Sequence, residues 1–414
     1  MKKRLFAFFV LFVLIVAEVF AGGDKEASSK SNIKELEYFS QKPEAVTVMG
    51  KLIAKFEQEN PTIKVTLTST PEPGTVLKTR ISTGDMPDVL NTFPAEITYK
   101  NIFSDGFCMD LSEQPFMSQV PDGVKQIVAH DGKIYALPIT LSVYGIYYRK
   151  DIFATYGLSA PTTYEELINV CKTLKANGVT PFSFANKDLG NIAQRTERLL
   201  GVINNNVNDE FKKIANGEMN VKDSPTLNAF AKMMLETLEY GPEDSLAVDY
   251  ESSIADVVNG KAAMTISGTW ALGTMRTNNP DIDKDVELIP FPNPVGKTNV
   301  PINVDTSYSV SASTKYPDAA MKFLEFLART DNAQIYADEE KSPNIIKGVQ
   351  YNVTPHAKML EYLNRGDIFV TAINFWPTGL REEIRTPVQQ LLMDHNIDAF
   401  LTSVGKAINK YYNK

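Results

Sequence analysis

Cysteine, histidine and tryptophan are scarce in this chain of 414 residues, with two, three and two copies. His130, His356 and His395 stand far apart and show neither a His-Glu-x-x-His pair nor zinc-ligand spacing, so no metal centre is expected. Gly296-Lys297-Thr298 would end a phosphate-binding loop, yet Phe291 stands where such a loop needs its first glycine. A Gly-x-Ser-x-Gly nucleophile turn is missing too. Glu339-Glu340 and Glu382-Glu383 are adjacent carboxylates, and neighbours along a helix or loop do not converge on one bond, so they read as solvated faces. No catalytic residue and no cofactor are expected. Positive charge is short as well. The 42 Lys and Arg face 50 Asp and Glu, a net charge of −8 that argues against a nucleic-acid partner, because phosphate binding rests on basic side chains.

Cys108 and Cys171 are able to pair in an oxidising compartment. Cys171, however, falls on the apolar face of a predicted helix, where a buried free thiol is ordinary, and two free thiols are expected. The apolar run 5–16 is too short to span a membrane as a mature helix. Lys2, Lys3 and Arg4 precede it and Val19-Phe20-Ala21 follows, so residues 1–21 read as a signal peptide. Residues 22–32 are small, polar and charged, and predict a flexible leader. Loss of residues 1–21 removes three basic residues and Glu18, leaving 39 basic against 49 acidic and a net charge of −10.

The length suggests two domains. Glu35 to Ser40 is strand-like. Ala45, Met49, Leu52 and Phe56 then mark a helical face ending at Asn60-Pro61, and Ile63, Val65 and Leu67 alternate as a second strand. A helical stretch from Thr70-Pro71 to Arg80 and a strand from Met86 to Asn91 complete a βαβαβ run, which predicts a parallel sheet covered by helices. Ile134 to Pro138 and Tyr144 to Tyr148 read as two strands. Pro161-Thr162-Thr163, with Glu165 and Glu166 three residues on, forms a capping box. Tyr164, Leu167, Ile168, Cys171 and Leu174 share the face of the helix it opens, and Asn177-Gly178 ends it. The stretch 190–241 reads as helical and without chemistry. Ala262 to Ile266 predicts a strand, with Trp270 opening the next helix. Further strands are expected at Val286 to Ile289 and Tyr308 to Val310, separated by a Pro- and Gly-rich connection, before a helix at Pro317.

Several of these stretches resemble the family 1 extracellular solute-binding proteins of ABC importers, a group that includes maltose-, maltodextrin- and raffinose-type sugar binders. The carriers of the resemblance are DGKIYALP, the aromatic run to YYRKD and PTTYEEL within 131–167, STGDMPDVLN near residue 88, NGKAAMTISGTW at 259–270 and PDAAMKFLEFL from Pro317. The resemblance implies an α/β, two-lobed fold whose lobes are mainly parallel sheets flanked by helices and joined by hinge crossings. Residues 33–141 and 303–345 would form the N-terminal lobe, and 142–302 and 346–414 the C-terminal lobe. It also implies a small carbohydrate ligand, membrane subunits of an ABC importer as partners, a monomer, and a location outside the cytoplasm. The lipoprotein cysteine of many relatives is replaced here by Ala21-Gly22-Gly23.

Ligands of open α/β sheets sit beyond the carboxyl ends of strands, which selects Ser40, Gln41 and Lys42 after the first strand and Asn91 to Glu96 after the third. Trp270 resembles the aromatic that stacks on the sugar. Trp376 resembles a later cleft aromatic, with core packing an equal alternative. Arg381 is either a ligand contact or solvated, and Tyr144 offers a further ring. The usual Gly-Gly before the second crossing strand is absent, and Asn303-Val304-Asp305-Thr306 stands there, with Asp305 an acceptor for hydroxyls. Asp88 ties its turn or touches ligand. A binding protein for a non-sugar solute, such as an amino acid, peptide or polyamine, and a secreted glycoside hydrolase are the alternative functions.

Overall fold

The computed structural model describes residues 33–71 and 73–413. The expected signal peptide at 1–21 and leader at 22–32 lie outside the described residues. Among the described residues nine strands run in the order β2-β1-β3-β8-β4-β6-β5, with β7 also on β4 and β9 on β8. They are β1 (Lys34–Ser40), β2 (Ile63–Ser69), β3 (Val89–Thr92), β4 (Leu137–Arg149), β5 (Thr180–Ser183), β6 (Ala262–Gly268), β7 (Val286–Ile289), β8 (Val300–Val310) and β9 (Ile368–Val370). β1 pairs in parallel with β2 and β3, and β5 with β6, each pair linked through helices as the alternating pattern predicts.

β4 carries the chain between two sheets. Its first half pairs with β8, from Leu137 to Val143, and its second half pairs with β6 and β7, from Tyr144 to Arg149. The two runs read from sequence are thus one strand, and residues 134–136 lie outside it. Pro138 does not stop the strand because it sits at the second position, next to an irregularity in register, where a missing N–H costs no regular ladder bond. β8 likewise begins at Val300 rather than near Tyr308, since the proline-containing start is held by the short parallel strand β9. β3 begins at Val89, after Pro87 and Asp88. Asp88 ties its turn: Oδ2 accepts from Glu37 N at 2.8 Å and Oδ1 from Thr314 Oγ1 at 2.6 Å.

The cores separate along the same line. One gathers side chains from 36–139 and 304–346, including Phe56 and Phe323 with ring centroids 5.0 Å apart. A smaller one around Phe39 and Phe103 covers the other face of the first sheet. The largest joins residues 146–291 to the C-terminal helices through Phe400 and Leu401, and a fourth packs around Tyr147 and Met275. The Tyr164–Ala176 helix starts with the expected capping box, Thr163 Oγ1 accepting from Glu166 N at 3.2 Å. Its Cys171 is buried and free, as is Cys108. Among the described residues no helix is long and apolar enough to cross a membrane.

Candidate functional site

A cavity of ≈ 670 Å³ opens between the two sheets, beside the β4 and β8 crossings. Of the residues selected from sequence, Gln41, Lys42, Glu96, Trp270, Asp305, Trp376 and Arg381 line it. Ser40 does not. It is fully buried behind the wall, where its hydroxyl bonds the Lys42 backbone at 3.2 Å, because strand alternation turns it away from its neighbours. Tyr144 is also off the cavity, 3% exposed, with its ring 5.9 Å from that of Trp270.

The first wall follows β1 and β3. Asn91 at the end of β3 accepts from Tyr38 Oη at 2.7 Å and Gln41 N at 3.1 Å through Oδ1, which fixes the turn that presents Gln41 and Lys42. The Gln41 amide is held by Asn91 O at 2.5 Å and Tyr99 Oη at 3.0 Å. Lys42 pairs with Asp305, and both are nearly buried. Asp305 owes its position to a bulge. Leu141 opposes Val304 and Thr140 opposes Thr306, so Asp305 is the extra residue, turned out of the ladder toward Lys42. The Asn-Val-Asp-Thr stretch that replaces Gly-Gly thus contributes an aimed carboxylate.

The second wall contains residues that sequence reading missed. The Leu189–Ile203 helix, read as bare of chemistry, supplies Gln194 and Arg198. The Arg198 guanidinium lies 5.1 Å over Tyr144 and 5.4 Å over Trp270, so it braces one side of the indole. Glu197, 2% exposed, takes Arg198 on one oxygen and Arg381 Nε on the other at 2.8 Å. Arg381 is therefore half-buried and paired rather than solvated. The Glu382 side chain reaches the cavity rim instead of being a purely solvated face, while Glu383 pairs with Lys410 at 3.0 Å. Trp376 satisfies both of its readings. It is 2% exposed and stacks on Phe211 at 5.9 Å, yet one edge meets the cavity. The signal for the missed helix was its Gln-Arg-Thr-Glu-Arg run, too polar for a segment whose flanks are apolar.

Glu96 faces this paired cluster from the opposite wall. Burial pushes its carboxyl up to about 7, opposed by the charges of Arg381 and Arg198 and reinforced by that of Glu197. The deep ion pairs are Lys42 with Asp305 and two arginines with Glu197, which leaves at most one positive charge uncompensated when Glu96 holds its proton. Such a cavity offers aromatic surface and fixed hydrogen-bonding groups without a strong net charge of either sign. Among the described residues no group of three or more His, Cys, Asp or Glu converges to hold a metal ion.

Comparison with known proteins agrees with this architecture. The multiple sugar-binding protein of Streptococcus mutans is 31% identical over 333 residues, covering 79% of this chain and 78% of that protein. The melibiose/raffinose/stachyose-binding protein MelE of Bacillus subtilis is 25% identical, over 93% of this chain and 92% of its own. A solved structure of the binding protein RafE in complex with raffinose matches with a TM-score of 0.80 at 27% identity, over 91% of this chain and 99% of that one. The model of the bacterial extracellular solute-binding proteins matches residues 41–334. Topology, cleft and sequence thus agree: the chain belongs to the bacterial extracellular solute-binding protein family.

Proposed function

We propose that this protein is an extracytoplasmic receptor for a neutral oligosaccharide, which it delivers to the membrane subunits of an ABC importer. The observation that carries the reading is the largely charge-paired cavity of ≈ 670 Å³ with Trp270 on one wall and Gln41, Lys42 and Asp305 on the other. That volume lies within the range of pockets that enclose small ligands, and aromatic surface beside fixed polar groups suits the two faces of a pyranose. A charged solute would need free counter-charges, and most of the deep charges are already paired, Lys42 with Asp305 and Arg198 and Arg381 with Glu197. Of the carboxylates at the cavity, Asp305 is tied to Lys42 and Glu197 behind the wall is held by two arginines, while Glu96 and Glu382 also line it, so the absence of turnover separates a receptor from a glycoside hydrolase. In this reading the protein is a binder rather than an enzyme. Relatives that bind raffinose and stachyose make those sugars the first ligands to try.

The lobes in this reading are residues 33–141 with 303–345, and 142–302 with 346–414, acting as a monomer. Calorimetric titration with raffinose, stachyose and maltotriose, alongside amino acids and polyamines, tests it. Binding of at least one oligosaccharide without product formation is expected. Trp270→Ala should weaken it about 10- to 100-fold, roughly 1.4–2.8 kcal/mol. Binding of only a charged solute, or sugar affinity unchanged in Trp270→Ala, would overturn the site assignment.

A further inference from the structure

We propose that the second lobe contains a buried site for a small monovalent anion of the halide class, held by Arg195 at the carboxyl ends of β5 and β6. Arg195 projects from the Leu189–Ile203 helix and is 6% exposed. Its Nη2 donates to the neutral amide oxygen of Asn186 at 2.5 Å, its guanidinium lies 5.1 Å over the Phe184 ring, and its Nε is buried without a partner. Burial pulls its pKa down to about 10, which leaves it cationic at neutral pH, and the group facing it is the neutral phenol of Tyr144. The carboxylates around it are engaged elsewhere. Glu197 holds Arg198 and Arg381, and Asp256 accepts from Ser183 Oγ at 2.9 Å and lies 3.9 Å from Lys261. A buried cation without a counter-charge is costly enough that such groups are ordinarily paired.

A cavity of ≈ 20 Å³ adjoins Arg195, lined also by Asn191, Ser183, Ser253, Thr265 and Ser267. It has room for about one water or one monatomic anion in direct contact with Arg195. The hydroxyls of Ser183, Ser253 and Thr265 donate to Asp256, Tyr250 O and Ser183 O, which leaves Ser267 to join Arg195 as a donor. The location itself suits a ligand: carboxyl ends of parallel strands are where open α/β sheets receive them. Water would fill the space but leave the charge uncompensated. An anion does both. The site is separate from the larger cavity, with Tyr144 between the small cavity and Trp270.

The test is thermal melting of the purified full chain in sodium chloride against sodium gluconate at equal ionic strength, gluconate being a far bulkier anion than a halide. Melting temperature should rise with chloride and level off, by about 2 °C or more. Arg195→Met should abolish that rise. Ser267→Val serves if Arg195→Met does not fold, and should move the chloride midpoint at least tenfold higher. Bromide soaked into crystals should give an anomalous peak beside Arg195. Identical melting in the two salts with no bromide peak there would overturn the proposal, as would a chloride response retained in Arg195→Met.

Discussion

Two buried groups give this protein opposing responses to pH. Glu96 has its carboxyl raised to about 7 by burial, against an ordinary value near 4.5, so the folded state holds a proton that the unfolded chain has released. Its contribution to stability is full below about 4.5 and is lost as pH rises through 7. His356 behaves oppositely. It is 1% exposed between two tyrosines, and burial pulls it down to about 3 from 6.5. Tyr351 Oη donates to Lys341 O at 2.8 Å, so it accepts from Nδ1–H, and Tyr147 then donates to Nε2 at 2.5 Å; this bonding pattern holds the imidazole neutral. The unfolded chain takes up that proton first, so the His356 contribution is full above 6.5 and is lost as pH falls toward 3. Between pH 4.5 and 6.5 the two partly cancel, giving a flat stability profile. Glu96→Gln should remove the falling component, so that stability measured by urea unfolding climbs from pH 5 to 6.5. A variant profile as flat as the native one would refute the Glu96 assignment.

Elements place these side chains through two glycines whose roles differ. A Cβ on Gly268, at the end of β6, would fall 2.0 Å from the Trp270 ring, a side chain that would have to shift. A Cβ on Gly145, in β4, would fall 2.1 Å from the backbone oxygen of Ile289, which is fixed by strand pairing. Gly268→Ala should therefore weaken sugar binding about tenfold with little change in melting, and Gly145→Ala should cost about 1–3 kcal/mol of stability. Calorimetry and denaturant unfolding separate the two effects; loss of stability without loss of affinity in Gly268→Ala would contradict the placement of Trp270. At this scale the sequence was most legible where a local rule sufficed. The capping box at Thr163, the helical face around Phe56 and the strand–turn–Trp270 passage each depend on neighbours in the chain. Legibility failed where a distant partner decided the outcome. Pro138 looked like a terminator because the register irregularity opposite β8 cannot be seen from β4 alone. Arg198 and Gln194 lay in a stretch read only as helical and without chemistry, because periodicity identifies a polar face without revealing that another wall will cover it. Asp305 was visible as a residue, but its bulge depends on the register of β4 against β8.

The whole molecule encloses its cavity through contacts between segments far apart in the chain. Lys100 Nζ donates to Asn374 O and Asn101 Nδ2 to Thr378 Oγ1, each at 3.2 Å, joining the Ile97–Ser104 helix to the loop that precedes Arg381. These bonds lie across the cleft mouth and connect the lobes proposed above, whereas β4 and β8 run continuously through the crossing. In that proposal a few polar contacts hold the lobes together over crossing strands that opening need not break. Hydrogen bonds of this kind contribute about 0.5–1.5 kcal/mol each, so losing two shifts an open–closed equilibrium by about 1–3 kcal/mol. A ligand that binds the closed form must then supply that difference from its own binding energy, and its apparent affinity falls accordingly. Lys100→Ala combined with Asn101→Ala should enlarge the radius of gyration of the ligand-free protein in solution scattering and weaken sugar binding roughly 5- to 100-fold. Saturating sugar should restore the native radius, since a ligand bound as proposed would still bridge Trp270 and Lys42 across the cleft. An unchanged radius together with unchanged affinity would mean that these contacts do not govern closure, and that the two walls are held together by the crossings alone.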